Sequence, residues 1–175
     1  MPDDDRGHEQ GRRANRIEVA GVLLIALASV FTAWSAFQSS KWSGTMALLF
    51  NEAGTARTES TRASNLASDH VAVDVSLFSG YVSAVAAEDP ELAGFVEDRF
   101  TDRLAEAVEA WMATDPLESA AAPASPFEMD EYVVQERELA IELKTRAEER
   151  TTAARSANQT SDNYAVTSVF FATAI

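Results

Sequence analysis

The residues from Val19 to Phe37 read VAGVLLIALASVFTAWSAF, a stretch of 19 positions without a charge. As a helix it rises about 28 Å at about 1.5 Å per residue, enough for one crossing of a hydrocarbon core. The pattern predicts a transmembrane helix over residues 17–38, preceded by an N-terminal tail of residues 1–16. A cleaved signal peptide is the competing reading, because small residues around Ala33 to Ala36 imitate a cleavage site. The length of the apolar run and Trp34 near its end favour a retained helix.

Beyond the run the hydrophobic spacing changes character. Between Ile17 and Glu88 there is no proline, and Trp42, Met46, Leu49, Ala53 and Ala56 recur three and four apart, as one helical stripe would. Leu66, Val73, Leu77, Tyr81 and Val85 extend the stripe, with Gly54 and Gly80 as places where the helix can break. Asp89-Pro90-Glu91 supplies an N-cap, a proline at the first helical position and an acid on the positive helix end. A second helix is expected there, with Leu92, Phe95, Val96, Phe100, Leu104, Val108 and Trp111 on one side. Asp98, Asp102, Glu106 and Glu109 lie on the other.

Residues 113–126, ATDPLESAAAPASP, contain three prolines and no apolar period, and so predict an exposed loop. Ser125-Pro126-Phe127-Glu128 matches a capping box and predicts the start of a third helix. Met129, Val133, Ala140, Leu143 and Ala147 give that helix a narrow stripe, and Glu142 and Arg146 stand one turn apart. Tyr164 to Ile175 are apolar apart from hydroxyls. Twelve residues rise only about 18 Å, so residues 163–175 read as the start of a second transmembrane helix, and the parent chain is expected to continue.

These elements predict an all-α fold. The N-terminal transmembrane helix continues into an elongated antiparallel helical bundle, and a second transmembrane helix starts at the C-terminus. Ala28, Thr32, Ala36, Ser40 and Gly44 fall four apart along the first helix and form a candidate helix-packing edge, where small side chains admit another backbone.

Charge sets the expected orientation. Arg6, Arg12, Arg13 and Arg16 precede the apolar run and only Lys41 follows closely, which places the N-terminus in the cytoplasm of a bacterial cell and residues 39–162 outside the inner membrane. Trp34, Phe37 and Trp42 fall where the outer interface would lie. The formal net charge is −14, and residues 38–162 carry 23 acidic against 10 basic side chains. Nucleic acid is therefore not an expected partner.

The chain has no cysteine, so disulfides, thiolate metal sites and a cysteine nucleophile are all excluded. His70 and Asp74, one helical turn apart and next to Asp69, could offer two metal ligands, short of the three or four that a zinc site requires. The expectation is a solvated polar helix surface at Asp69, His70 and Asp74, with no metal, no cofactor and no catalytic residue. No nucleophile elbow or glycine-rich phosphate loop is present. The amides and hydroxyls of residues 157–163, ANQTSDN, are expected to cap the polar interface before the last apolar run or to meet the polar edge of the first helix.

Trp42-Ser43-Gly44 after the first membrane helix, Ser125-Pro126-Phe127, and ANQTSDNY at residues 157–164 together resemble a family of uncharacterised bacterial integral membrane proteins. The resemblance implies a complete second membrane helix, often with more beyond it, and no assigned activity. The expected function is non-enzymatic: a membrane protein whose helical extracytoplasmic domain senses a condition or binds a partner. A structural subunit of a larger membrane complex is the alternative, and a metal-assisted hydrolase built on acids around His70 stands third. The expected partners are the lipid bilayer and other membrane proteins or further copies of the chain.

Overall fold

The structure is a computed structural model that describes residues 4–174. Residues 1–3, Ile175 and the side chains of residues 4–12 and Ala14 lie outside the described residues, and with Arg6 and Arg12 among them part of the charge asymmetry that sets the expected orientation. The elements are α1 (Asp4–Ala86), α2 (Pro90–Glu97), α3 (Asp102–Met112), a 3-10 turn (Pro126–Glu128) and α4 (Gln135–Ala172). The described residues contain no strand.

α1 is unbroken through Gly54 and Gly80. It stops where Glu88 takes a left-handed conformation, φ 55°. That kink lets the Asp89 amide reach the Ala84 carbonyl and the Glu88 amide reach Val85, so the last carbonyls of the helix stay bonded. The next residue opens α2 as the sequence predicts: Asp89 accepts from the Leu92 amide at 3.0 Å and Pro90 fills the first turn.

Two expected boundaries are corrected. The second helix divides into α2 and α3, because Thr101 acts as a new N-cap, its hydroxyl accepting from the Leu104 amide at 3.3 Å. The turn before it sets the Phe100 ring against Tyr81, with centroids 5.5 Å apart. The third helix begins not at Ser125 but at Gln135. The Ser125 side chain makes no capping bond, and Met129, with ψ 146°, leaves the 3-10 turn in extended conformation. Phe127 and Tyr132 pack on one another at 5.0 Å and Phe127 also meets Phe78, contacts that a helix starting at Ser125 would have to sacrifice.

The chain forms two compact units, one of Met1–Gly54 with Glu148–Ile175, the other of Thr55–Ala147. In the first, α1 and α4 run antiparallel, as Phe31 stacks on Phe171 at 5.3 Å and Glu52 meets Arg150 at 3.3 Å. Ser35, Ala53, Ala154, Ala157 and Ser161 are buried between them. Ala154, Ser161 and Ser168 stand seven apart on α4, and Ser161 and Ser168 reach Thr32 and Ser39, also seven apart on α1. Small residues on a seven-residue repeat let two helix backbones approach closely. Outside this seam α1 leaves Val22, Leu23, Leu24, Val30 and Phe37 exposed.

In the second unit the buried residues include Ala56, Ala63, Ala67, Asp74 and Ala84 of α1, Leu104, Ala107 and Val108 of α3, and Ala140 and Ala147 of α4. The Ser60 hydroxyl donates to the Ala140 carbonyl at 2.7 Å. The stripe therefore follows alanines rather than the larger Leu66, Val73 and Val85, which are exposed, as are Leu92 and Phe95 of α2. Val134, not Val133, is the buried valine before α4. Acids Asp98, Asp102, Glu106 and Glu109 face solvent as expected.

Candidate functional site

Asp74 is the centre of the second unit's polar chemistry. Its side chain is fully buried, and each oxygen is occupied: Thr101 Oγ1 donates to Oδ1 at 2.8 Å, while Arg103 Nε at 2.6 Å and the Tyr132 hydroxyl at 2.8 Å donate to Oδ2. One carboxylate thus ties α1 to the N-terminus of α3 and to the segment that leads into α4. The expectation that Asp74 sits on a solvated face is overturned. A buried carboxylate needs such donors, because an ion without them costs several kcal/mol, on the order of 5, to take out of water.

Electrostatics follow from the geometry. Burial pushes the Tyr132 phenol up to about 12, the bond to Asp74 and its negative charge act in the same direction, and Arg103 opposes them. Burial disfavours the Arg103 charge, but the bond and charge of Asp74 outweigh it and hold the guanidinium above its ordinary value. Both Asp74 oxygens are bonded and the side chain is fully buried. The arrangement is a tie between helices.

An aromatic cluster borders the tie. Phe78 meets Trp111 edge-on at 5.6 Å and Phe127 at 5.7 Å, and Phe127 leads on to Tyr132. The Trp111 indole donates to the Pro123 carbonyl at 2.8 Å, anchoring the proline-rich loop.

One turn before Asp74, His70 faces the first turn of α4. Its Nδ1 is shielded from solvent and makes no hydrogen bond, although Glu136 Oε1 lies 3.4 Å away. Glu136 is held below the usual carboxylate range, first by a hydrogen bond from its own backbone amide, then by His70 and Arg103. It also lines a cleft of about 590 Å³ with Thr101, Asp102, Arg103, Glu106 and Glu131. Among the described residues no group of three or more His, Asp or Glu side chains is placed to hold a metal ion. Asp69 is exposed and takes no part in the tie.

The predicted helix-packing edge divides. Ala28 and Thr32 are half-buried, and the Thr32 carbonyl accepts from Ser168 at 3.4 Å; Ala36, Ser40 and Gly44 are exposed. From Thr32 the seam takes a step of three, to Ser35 rather than Ala36, and so leaves the predicted row. The seam passes instead through Ser35, Ser39 and Ser43, with the Ser161 hydroxyl 3.1 Å from Ser39 Oγ and 2.9 Å from Ser43 Oγ. Of residues 157–163, Asn158 pairs with Asp162 and Gln159 with Asn163 along α4 itself, leaving Ser161 as the one that meets the hydroxyls of α1.

α1 is the one helix among the described residues long and apolar enough to cross a membrane. No protein-family model, curated protein or solved structure matches the chain.

Proposed function

We propose that this chain is a non-enzymatic integral membrane protein of the bacterial inner membrane, whose helical part over residues 39–162 lies outside the cell membrane and senses a condition or binds a partner. The observation that carries the reading is the uncharged belt of α1 from Val19 to Phe37, on which Val22, Leu23, Leu24, Val30 and Phe37 are exposed. Each such side chain favours the centre of a bilayer by about 0.3–0.6 kcal/mol on insertion scales, and no charge interrupts the belt. The cytoplasmic N-terminus, the second membrane segment opening at residues 163–175 and kinship with the bacterial membrane family belong to the same proposal.

The sensing part of the reading rests on continuity. α1 runs as one helix over Asp4–Ala86, and the apolar belt and the Asp74 tie both belong to it. A subunit of a larger membrane assembly is the second reading, favoured by the exposed small residues Ala36, Ser40 and Gly44.

The absence of cysteine gives a clean test. Leu117→Cys sits in the loop at 91% exposure, and in intact spheroplasts it should react with a membrane-impermeant maleimide. Arg13→Cys should react only after permeabilisation. The opposite pattern reverses the topology and removes the external domain. With Gly44→Cys, a disulfide-linked species that includes a second membrane protein favours the assembly subunit.

A further inference from the structure

We infer that His70 and Glu136 form a proton-operated latch between α1 and the first turn of α4. The inference deepens the sensing reading, and rests on it for its biological use, by naming acidity as the condition sensed.

Nδ1 of His70 is shielded from solvent within a side chain that is itself 34% exposed, beside a Glu136 side chain that is 26% exposed. The Nδ1 of a neutral imidazole either accepts, and then faces a carboxylate oxygen 3.4 Å away with no donor between them, or carries the hydrogen in a poorly aligned contact. Protonation removes the conflict: both nitrogens become donors, and a positive ring faces a negative carboxylate. Glu136 is suited to the role, since a hydrogen bond from its own backbone amide, the largest influence, holds its carboxyl below the usual carboxylate range.

Position makes the pair a latch. His70 lies on the inward side of α1, one turn before Asp74, and Glu136 is the second residue of α4. Between them they close the seam where the extended segment ending at Val134 turns into α4. The surrounding charged and titratable groups are Asp74 on α1, Asp102, Arg103 and Glu106 on α3, and Glu131 and Tyr132 in the lead-in to α4, with Asp102, Arg103, Glu106 and Glu131 lining the same cleft as Glu136. Asp74, Arg103 and Tyr132 already satisfy one another, so they do not compete for the new proton. Arg137 lines a separate groove with Ser64, Ser68 and Lys144. Asp69 is exposed. Glu136 is the carboxylate that faces His70 Nδ1, at 3.4 Å.

An imidazole in water takes up its proton near pH 6.5, within the range that an external domain meets. Acid should therefore close the seam and alkali loosen it.

The test uses the purified full chain in detergent micelles, with His8→Asn so that His70 is the one imidazole. Its titration is followed by NMR with labelled histidine, and amide exchange of residues 129–140 is compared at pH 5.5 and 8 after correction for intrinsic rates. The expected result is a higher His70 midpoint with Glu136 than with Glu136→Gln, together with about fivefold slower exchange at pH 5.5, the scale of a partly exposed ion pair. His70→Gln should abolish the pH dependence of exchange. An unchanged midpoint in Glu136→Gln, or the same pH dependence in His70→Gln, overturns the latch. Either result leaves the topology untouched, whereas reversed maleimide labelling removes the external sensor and leaves the latch as a property of the chain.

Discussion

Replacing Asp74 by alanine should be the most damaging single change in the second unit. The substitution removes the acceptor for Thr101, Arg103 and Tyr132 at once, at distances of 2.8, 2.6 and 2.8 Å. Breaking a buried pair by deleting one partner costs about 3–5 kcal/mol, because the remaining charge is stranded. Here the Arg103 side chain keeps 23% exposure and can turn partly to water, which moves the expected loss to the lower end, about 3 kcal/mol. Asp74→Asn keeps the volume and one acceptor oxygen but turns an amide NH₂ towards donors, so it should fall between alanine and wild type. Thermal unfolding followed by circular dichroism in detergent reads the effect. About 3 kcal/mol corresponds to a drop in Tm of roughly 6–12 °C for a chain of this size. Asp69→Ala, on the exposed neighbour, is the control and should stay within about 0.5 kcal/mol. If Asp74→Ala unfolds together with that control, the carboxylate is not the tie described above and the reasoning fails.

Ala154→Leu should cost about 1–3 kcal/mol, since residue 154 is fully buried where α4 meets α1 and added methylenes force the helices apart; a cysteine cross-link between positions 39 and 161 should form more slowly in that variant. Trp111→Phe keeps the ring contact with Phe78 but loses the bond to Pro123, about 1 kcal/mol, and limited proteolysis should cut the loop over 113–126 faster. Because the Tyr132 phenol is raised to about 12 in the folded chain, its contribution is complete below the unfolded value near pH 10 and is lost as pH rises through about 12. Alkaline unfolding should therefore be less steep over that window in Tyr132→Phe, and an identical profile would count against the buried phenol.

Much of the secondary structure was legible because its signals are local. The uncharged run from Val19, the Asp89-Pro90 start and the proline-rich loop act through backbone propensity and solvation of neighbouring residues, and the folded chain keeps all three. The ends of α1 and α2 carried weaker marks: Glu88 takes a left-handed conformation usually given to glycine, and the Thr101-Asp102 pair was a capping signal hidden inside an apolar stripe. The start of α4 misled, since Ser125-Pro126 has the composition of a cap while the aromatic contacts of Phe127 and Tyr132 reward a different path.

By itself the sequence determined that the chain is helical, where its apolar belt lies and where its loop falls. Tertiary structure decided which face of each helix is buried. Leu66, Val73 and Val85 have the stronger hydrophobicity, yet Ala63, Ala67 and Ala84 are inside, because small side chains let backbones approach while the burial of a large one depends on a partner surface. Asp74 makes the same point in polar form. Its donors lie 27, 29 and 58 residues further along the chain, and a carboxylate reads as solvated until the fold brings them to it.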